Sequence, residues 1–268
     1  MLKLTLIKLG GSVITNKEVP MMVRQHVLER LAREITRARS GSDDLYVIGH
    51  GQGSFAHAPA LRYKTMDGFI RKDSVVGMAI TQDSAAQLNR IVVKAFLAEQ
   101  QPAVSFLFSN SLVTRSGKSQ HFCAEVLDQY LEKGLLPITG GDVIVDSKQG
   151  CTIWSTEKVL AHLAEYYIHQ KQFEVKRVIH VTEVEGVLAA DGSIFEQVHS
   201  ENFAEVAKLI NGTKGFDVTG GMAHKLEESL DLAQQGVDSY ILSGLKKNNL
   251  YNALIGSDWH GTKVSAYY

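Results

Sequence analysis

The chain alternates between two hydrophobic periods, one typical of strands and the other typical of helices. Residues 4–9 and 45–48 form short apolar runs of strand length, and Gly49 stops the second run. Between the two runs, five apolar residues recur at helical spacing: Leu28, Leu31, Ala32, Ile35 and Ala38. This part of the chain therefore predicts a strand, a helix and a second strand.

The same alternation continues along the rest of the chain. Helical spacing predicts helices over residues 73–99, 125–132, 157–170, 203–209, 222–235 and 250–255. Apolar runs predict strands over residues 103–108, 135–139, 177–181 and 239–242. Two further short runs, 143–146 and 152–154, flank a segment typical of a hairpin turn, Ser147-Lys148-Gln149-Gly150.

Strands that alternate with helices favour an α/β fold, in which a mostly parallel sheet carries helices on both faces. A boundary near residue 170 divides the chain into two lobes, 1–170 and 171–268, without a proline-rich or low-complexity linker between them. We therefore predict two lobes on one continuous sheet, within one continuous domain.

Composition narrows the class of protein. The chain has 268 residues, of which 44% are hydrophobic and 21% charged, enough to bury a large core in one α/β unit or two lobes. It carries 28 basic and 29 acidic side chains, so no global basic field attracts it to nucleic acid or anionic lipid. Any anion must therefore be bound at a local site.

Cysteine content and hydropathy predict a cytoplasmic protein. Cys123 and Cys151 lie in no C-x-x-C pair and cannot build a disulfide framework, so we expect a reduced chain. No apolar run approaches the ~20 residues that a membrane helix needs, and the N-terminus shows no signal-peptide core. We therefore expect neither a membrane nor a nucleic-acid partner.

Three glycine-rich segments lie where a strand passes into a loop or helix, at residues 8–12, 49–57 and 219–222. Glycine lets backbone N–H groups approach an anion, and a following helix N-terminus adds partial positive charge. A single segment of this kind is more often a plain tight turn. Three in one chain, each near a lysine or a histidine, favour phosphate binding.

Charged residues lie beside these segments. Lys8, Lys17 and Lys225 are each near a glycine turn, and Asp142 follows Gly140-Gly141 at the end of a strand. Each lysine alone is more often a solvated surface residue, and Asp142 fits an Asx turn or a helix cap equally well. No H-E-x-x-H motif occurs and the histidine pairs are poorly spaced for a metal, so we predict no metal held by protein side chains.

Several segments match a known pattern, in the same order along essentially the whole chain. They are residues 8–12 with Lys17, the glycine loop ending in His57, Gly141-Asp142, residues 181–187, residues 217–222 with Lys225, and residues 261–263. Together they resemble the amino acid kinase superfamily and, within it, the isopentenyl phosphate kinase family.

The resemblance implies a three-layer α/β/α sandwich and a homodimer. It implies ATP with Mg²⁺ as the phosphoryl donor, and transfer of the γ-phosphoryl group to the phosphate of isopentenyl phosphate. The N-terminal lobe would bind the acceptor and form the dimer, while the C-terminal lobe would bind the nucleotide. We expect Mg²⁺ to bind mainly to the nucleotide phosphates, with few protein ligands.

The resemblance also implies roles for individual residues. Lys8 and Lys225 would contact the β- and γ-phosphates of ATP, and Lys17 would stabilise the transition state from the acceptor side. His57 would hydrogen-bond the acceptor phosphate, and Asp142 would orient the lysines. The remaining residues expected around the nucleotide are Gly10, Gly11, Ser12, Gly53, Ser54, Thr182, Glu183, Gly186, Gly220 and Gly221.

Two segments depart from the family pattern. Gln52 and Ala56 stand where the family has glycine, and Gln52 would place a side chain where the acceptor phosphate meets the backbone. Thr156-Glu157-Lys158 stands where the family has Gly-Asp-Asp, and Thr156 would supply a hydroxyl contact. The residues expected at the acceptor are Gln52, Gly53, His57 and Thr156.

An isopentenyl tail requires an apolar slot. Seven apolar residues that follow His57 are candidates to line it, and ordinary core packing explains them equally well. They are Met66, Phe69, Ile70, Val75, Val76, Met78 and Ile80.

Two other functions stay open on the sequence. A kinase of another small phosphate or phosphonate, such as fosfomycin, shares a histidine like His57 and diverges near residues 155–158. A non-catalytic nucleotide-binding protein on the same fold is the second alternative. The joint presence of Lys8, Lys17, His57 and Lys225 favours a kinase over that second alternative.

Overall fold

A mostly parallel sheet forms the centre of the molecule. The computed structural model describes residues 1–189, 191–212 and 221–267, except for the side chains of residues 210–212 and 221–225. Within these residues the strands are β1 (Lys3–Leu9), β2 (Leu45–His50), β3 (Ala103–Ser105), β4 (Leu112–Arg115), β5 (Lys118–Phe122), β6 (Leu136–Gly140), β7 (Asp142–Asp146), β8 (Gly150–Trp154), β9 (Glu174–Thr182), β10 (Gln197–Val198), β11 (Asp238–Ser243) and β12 (Gly261–Val264).

The helices follow the predicted order. Those that the structure describes are α1 (Gly11–Ile14), α2 (Gln25–Arg39), α3 (His57–Tyr63), α4 (Ser74–Ala98), α5 (Glu125–Glu132), α6 (Thr156–Gln170), α7 (Phe203–Gly212), α8 (Gly221–Gln234) and α9 (Asn249–Ile255). Helical periodicity predicted all of these except the short α1 and α3, and each predicted boundary lies within a few residues of the observed one. None of the described helices is long and apolar enough to cross a membrane.

Eight strands form the central sheet, in the order β10-β12-β11-β9-β1-β2-β6-β3. β1 lies between β2 and β9 and pairs in parallel with both, while β12 runs antiparallel to β11. Strands from either side of residue 170 therefore hydrogen-bond within one sheet. The α/β class and the mostly parallel sheet are confirmed.

Helices cover both faces of this sheet. One core cluster joins the sheet to α2, α4 and α9, and a second joins its other face to α5 and α6. Residues 4–9 of β1 are buried without interruption because both faces of the strand pack against helices. The result is the expected three-layer α/β/α sandwich.

A second sheet of four strands, in the order β5-β4-β7-β8, corrects the expectation that the strands form one sheet. The predicted hairpin is confirmed as β7 and β8, which pair antiparallel. The partners β4 and β5 were not predicted, because β5 is polar and exposed along most of its length and has no apolar run. The strand expected over 103–108 ends at Ser105, because the chain then turns into a short 3₁₀ helix at Phe108–Asn110.

The carboxyl ends of β1, β2, β6 and β9 lie at the same edge of the central sheet, because these strands run parallel to one another. The loops after such ends are where open α/β sheets bind ligands. Two of the three predicted glycine segments, residues 8–12 and 49–57, lie at this edge.

Candidate active site

A cavity of about 920 Å³ opens at the carboxyl edge of β1, β2 and β6. It joins segments far apart in the sequence: the loops after β1 and β2, the start of α3, the turn between β6 and β7, and the first turn of α6. Ten of the predicted site residues line it: Lys8, Gly11, Ser12, Lys17, Gln52, Gly53, Ser54, His57, Asp142 and Thr156.

The two glycine segments contact each other closely at the wall of this cavity. A Cβ at Gly11 would lie 2.4 Å from the backbone nitrogen of Gly53, so a side chain there would push the two loops apart. Gly53 has φ +50°, and a Cβ on it would lie 2.0 Å from Oγ1 of Thr15. Thr15 Oγ1 donates to the carbonyl of Gly11 (2.7 Å) and accepts from the N–H of Ser54 (3.1 Å). Glycine is therefore required here by close backbone approach.

Lys8 forms an ion pair with Glu157. Lys8 lies near the end of β1 with 8% of its surface exposed, and Glu157 lies in the first turn of α6. Ser155 is the N-cap residue of that helix, and its hydroxyl accepts a hydrogen bond from the N–H of Lys158 (3.2 Å). Glu157 was not among the predicted site residues, although the change of charge at residues 156–158 marked its segment.

Asp142 has different partners from those expected. Its carboxylate accepts from the backbone N–H groups of Ser109 (3.0 Å) and Val143 (2.8 Å), and its residue is 5% exposed. Burial raises the pKa of this carboxyl, and the two hydrogen bonds oppose the rise. The carboxylate that pairs with Lys8 is that of Glu157, and the orienting role expected of Asp142 stays a prediction.

Thr156 uses its hydroxyl within the protein. Its hydroxyl donates to the carbonyl of His50 (2.7 Å) and accepts from the N–H of Gly141 (2.8 Å), and the residue is 2% exposed. These two bonds join β2 to the turn between β6 and β7. The hydroxyl is therefore engaged by backbone groups, and the substrate contact expected from it stays a prediction.

Gln52 joins the same two loops. Its Nε2 donates to the carbonyl of Gly141, which holds the side chain along the cavity wall. Nearby, the buried Oγ of Ser54 has no hydrogen-bond partner in the described structure. A buried hydroxyl without a partner costs free energy unless a ligand satisfies it, and Ser54 lines the cavity.

His57 and Lys17 lie together at the cavity mouth. His57 begins α3 and retains solvent contact, yet the surrounding protein removes part of its hydration. This desolvation, and secondly the charge of Lys17, lower the pKa of the imidazole. The shift favours the uncharged imidazole, in which one ring nitrogen carries a hydrogen that can be donated to an anion.

Lys17 also contacts the loop that follows β9. Its Nζ lies 3.6 Å from Oε2 of Glu183, and Nη1 of Arg24 lies 3.0 Å from Oε1 of the same carboxylate. Glu183, expected at the nucleotide, is thus paired with the lysine expected on the acceptor side. Sequence reasoning did not identify Arg24, which directly precedes α2.

Three other residues expected around the nucleotide, Gly10, Thr182 and Gly186, are not among the described residues that line this cavity. Gly10 donates to the carbonyl of Val181 (2.8 Å), and the hydroxyl of Thr182 donates to that of Val184 (2.8 Å). Gly186 packs against Thr262, where a Cβ would lie 2.7 Å from Oγ1. Gly220 lies outside the described residues. At Gly221 and Lys225 in α8, the structure describes the backbone alone.

Apolar residues line the cavity beyond His57. Of the seven candidates for an apolar slot, Met66 is among the described residues that line the cavity. Its side chain is also exposed to solvent, as are those of Phe69, Ile70, Val75, Val76 and Ile80. The apolar wall also includes Ala56 and five residues that the sequence analysis did not single out: Ala60, Leu61, Ala85, Val143 and Ile153. The lining of this cavity therefore combines cationic side chains and glycine backbone with apolar side chains.

Comparisons with known proteins agree with this geometry. The model of the amino acid kinase family matches residues 3–243. An isopentenyl phosphate kinase of Methanothermobacter thermautotrophicus is 34% identical over 274 residues, covering 97% of this chain and 98% of the relative. One of Methanocaldococcus jannaschii is 29% identical over 270 residues, with the same shares covered. A solved isopentenyl phosphate kinase superposes with a TM-score of 0.81 at 30% identity, covering 98% of this chain and 100% of that chain.

Proposed function

We propose that this chain, which belongs to the amino acid kinase family, transfers the γ-phosphoryl group of ATP to the phosphate of isopentenyl phosphate. One observation carries the proposal: Lys8, Lys17 and His57 line the same cavity as two glycine segments and an apolar wall. That combination fits an acceptor with an anionic head and a hydrocarbon tail. The likeness to isopentenyl phosphate kinases over nearly the whole chain supports the same acceptor.

The chemistry of joining two phosphates is mainly electrostatic. The second pKa of a phosphate monoester is about 6, so at neutral pH the acceptor oxygen is already an anion and no strong general base is required. The obstacle is repulsion between the acceptor and the γ-phosphate. Catalysis then requires cations and N–H groups that hold both reactants in line and stabilise the charge on the transferring group.

The cavity offers these groups around the nucleotide phosphates. Lys8 would contact the β- and γ-phosphates, held in place by Glu157, and Lys225 would approach from α8. The close packing of Gly11 against Gly53 brings both glycine segments to one wall of the cavity, where their backbone would approach a phosphate. The unpartnered hydroxyl of Ser54 fits the same role, since a phosphate oxygen would accept its hydrogen bond.

The acceptor would bind at the mouth of the cavity. Neutral His57 would donate a hydrogen bond to the acceptor phosphate, and the nearby Lys17 would supply the positive charge. The isopentenyl tail would lie against Leu61, Met66 and Ile153. Burying apolar surface of the tail there contributes about 25 cal/mol per Å² to binding.

Thr182 and Gly186 would line the nucleotide from the second lobe, together with Gly10, Gly220 and Gly221. Mg²⁺ bound with ATP would neutralise part of the phosphate charge. In the described residues, no group of three or more His, Cys, Asp or Glu side chains is arranged to hold a metal. Asp142 and Glu157 face the cavity with protein partners already bound, so we expect the nucleotide phosphates to be the main ligands of Mg²⁺.

We also propose the assembly and location that the resemblance implies. Residues 1–170 would bind the acceptor and form a homodimer, residues 171–268 would bind the nucleotide, and the protein would act in the cytoplasm. Sedimentation equilibrium would measure the subunit number.

An acceptor panel tests the proposed reaction. ADP release would be measured with isopentenyl phosphate, dimethylallyl phosphate and fosfomycin, each over a range of concentrations with MgATP. We expect the highest kcat/KM with isopentenyl phosphate. A large preference for fosfomycin would show the substrate to be wrong, and ATP binding without turnover of any acceptor would favour a non-catalytic nucleotide-binding protein.

A further inference from the structure

Glu183 joins two cations of one loop. Its carboxylate contacts Lys17 (3.6 Å) and Arg24 (3.0 Å), and it comes from the segment after β9 on the far side of β1. Both cations belong to the segment between α1 and α2, with Lys17 near its start and Arg24 at its end. The loop between them is closed by the paired residues Thr15 and Val23.

The backbone of this loop is hydrogen-bonded at two points, whereas the side chain of Lys17 extends toward solvent. The N–H of Asn16 donates to Met22 (2.8 Å), and that of Met21 donates to Ser54 of the second glycine segment (3.2 Å). The Lys17 side chain, in contrast, is 67% exposed and has a long flexible stem. An unrestrained lysine spreads over many rotamers, so bringing it to a reacting group costs conformational entropy.

The charges favour a positioning role for Glu183 rather than direct contact with the nucleotide. A lone carboxylate beside a triphosphate would repel it, whereas two cations around one carboxylate leave a net positive charge. Arg24 holds the carboxylate in place through its shorter contact, with its side chain 32% exposed. Lys17 is then restrained by a carboxylate that has a second partner of its own.

We propose that Glu183 is a positioning residue that holds Lys17 at the cavity mouth, ready to contact the transferring phosphoryl group. This inference rests on the proposed kinase function and replaces the nucleotide contact expected for Glu183. When the substrates bind, Lys17 leaves the carboxylate of Glu183 and contacts the phosphoryl group. It does so because a phosphate carries more negative charge than a carboxylate that is already shared with Arg24.

A double-mutant cycle in the full-length protein tests this role. Glu183→Gln should lower kcat on the order of tenfold while the KM for ATP changes less than about twofold, because only the placement of Lys17 is lost. Glu183→Asp, which keeps the charge, should recover part of the rate. In a Lys17→Met background, Glu183→Gln should cause no further loss.

Other outcomes overturn the inference. If Glu183→Gln raises the KM for ATP at unchanged kcat, or if the two substitutions multiply, Glu183 acts on the nucleotide and not through Lys17. Glu185→Gln is a matched control in the same segment, since Glu185 is 59% exposed and lies 3.4 Å from His260. We expect it to keep the kcat of the unmodified protein.

A readout without turnover separates this inference from the proposed function. The ε-methylene NMR signal of Lys17, identified by its loss in Lys17→Met, should narrow and shift in Glu183→Gln as the side chain gains freedom. An unchanged signal would refute the tether even in an active kinase. Failure of the unmodified protein to phosphorylate isopentenyl phosphate would instead refute the proposed function, while the NMR comparison would still decide the role of Glu183.

Discussion

Lys8 and Glu157 form an ion pair across 149 residues of sequence, joining the end of β1 to the first turn of α6. Both side chains are largely withdrawn from solvent, with 10% and 15% of their surfaces exposed. Such a pair fixes its members more firmly than a surface pair, since water competes less for either charge. The lysine that we propose to contact ATP is thereby held toward the cavity.

Replacing Glu157 by Gln should leave Lys8 less well placed. We expect kcat to fall by on the order of 10- to 100-fold, since a cation positioned on developing charge contributes a rate factor of this size. Steady-state kinetics with MgATP would measure it. Glu157→Asp should be less impaired, and Glu165→Gln on the exposed face of the same helix should match the unmodified protein; equal rates for all three variants would contradict this role.

Gly11→Ala should open the contact between the glycine segments. The new Cβ would lie 2.4 Å from the nitrogen of Gly53, so one loop must move. We expect the KM for ATP to rise on the order of tenfold, because the phosphate cradle is lost. Gly41→Ala is the control, since its nearest neighbouring atom is 3.8 Å away. A normal KM in Gly11→Ala would mean that the loops do not hold phosphate.

Thr156→Val should destabilise the fold. It leaves the N–H of Gly141 without its side-chain acceptor and the carbonyl of His50 without its hydroxyl donor, at a cost of about 1–3 kcal/mol in the free energy of unfolding. Urea denaturation would measure the loss. Thr156→Ser, which keeps the hydroxyl, should recover most of it; a Val variant as stable as the Ser variant would contradict the structural role.

Lys17→Met should raise the pKa of His57. Desolvation and the Lys17 charge both disfavour the imidazolium, so removing the charge leaves only the first effect. NMR titration of the His57 ring protons would measure the change. Lys3→Met at the opposite end of β1 should leave the pKa unchanged, and an equally unchanged pKa in Lys17→Met would show that Lys17 does not act on His57.

His50 should make the protein sensitive to mild acid. Burial lowers its pKa to about 4, against a weak opposing hydrogen bond with Gly51. In the unfolded chain His50 becomes protonated near pH 6.5, so the stability that its neutral form contributes to the fold is complete above that pH. This contribution is about 3 kcal/mol at most in the free energy of unfolding, and it is lost as pH falls toward 4. Urea unfolding at several pH values would show this slope. His50→Gln should reduce it, and an equal slope in both proteins would contradict the assignment.

Local periodicity was sufficient for most of the fold. The helix predicted over 125–132 is α5 with the same limits, and the predicted hairpin is β7 with β8. In a buried element, the side chains that leave water must recur at the spacing of a helix or of a strand, so the sequence shows the element's period. Where that constraint is absent, as in the exposed β5, the pattern carried no signal.

The sequence by itself determined which kinds of residue are available for phosphate: glycine segments, lysines and a histidine beside strand ends. Only the tertiary structure decided which of them meet. Glu157 rather than Asp142 pairs with Lys8, Thr156 bonds to backbone groups, and Glu183 joins Lys17 to Arg24. Partners of this kind come from segments far apart in the chain, and their choice depends on distances of a few ångströms that no local pattern of residues encodes.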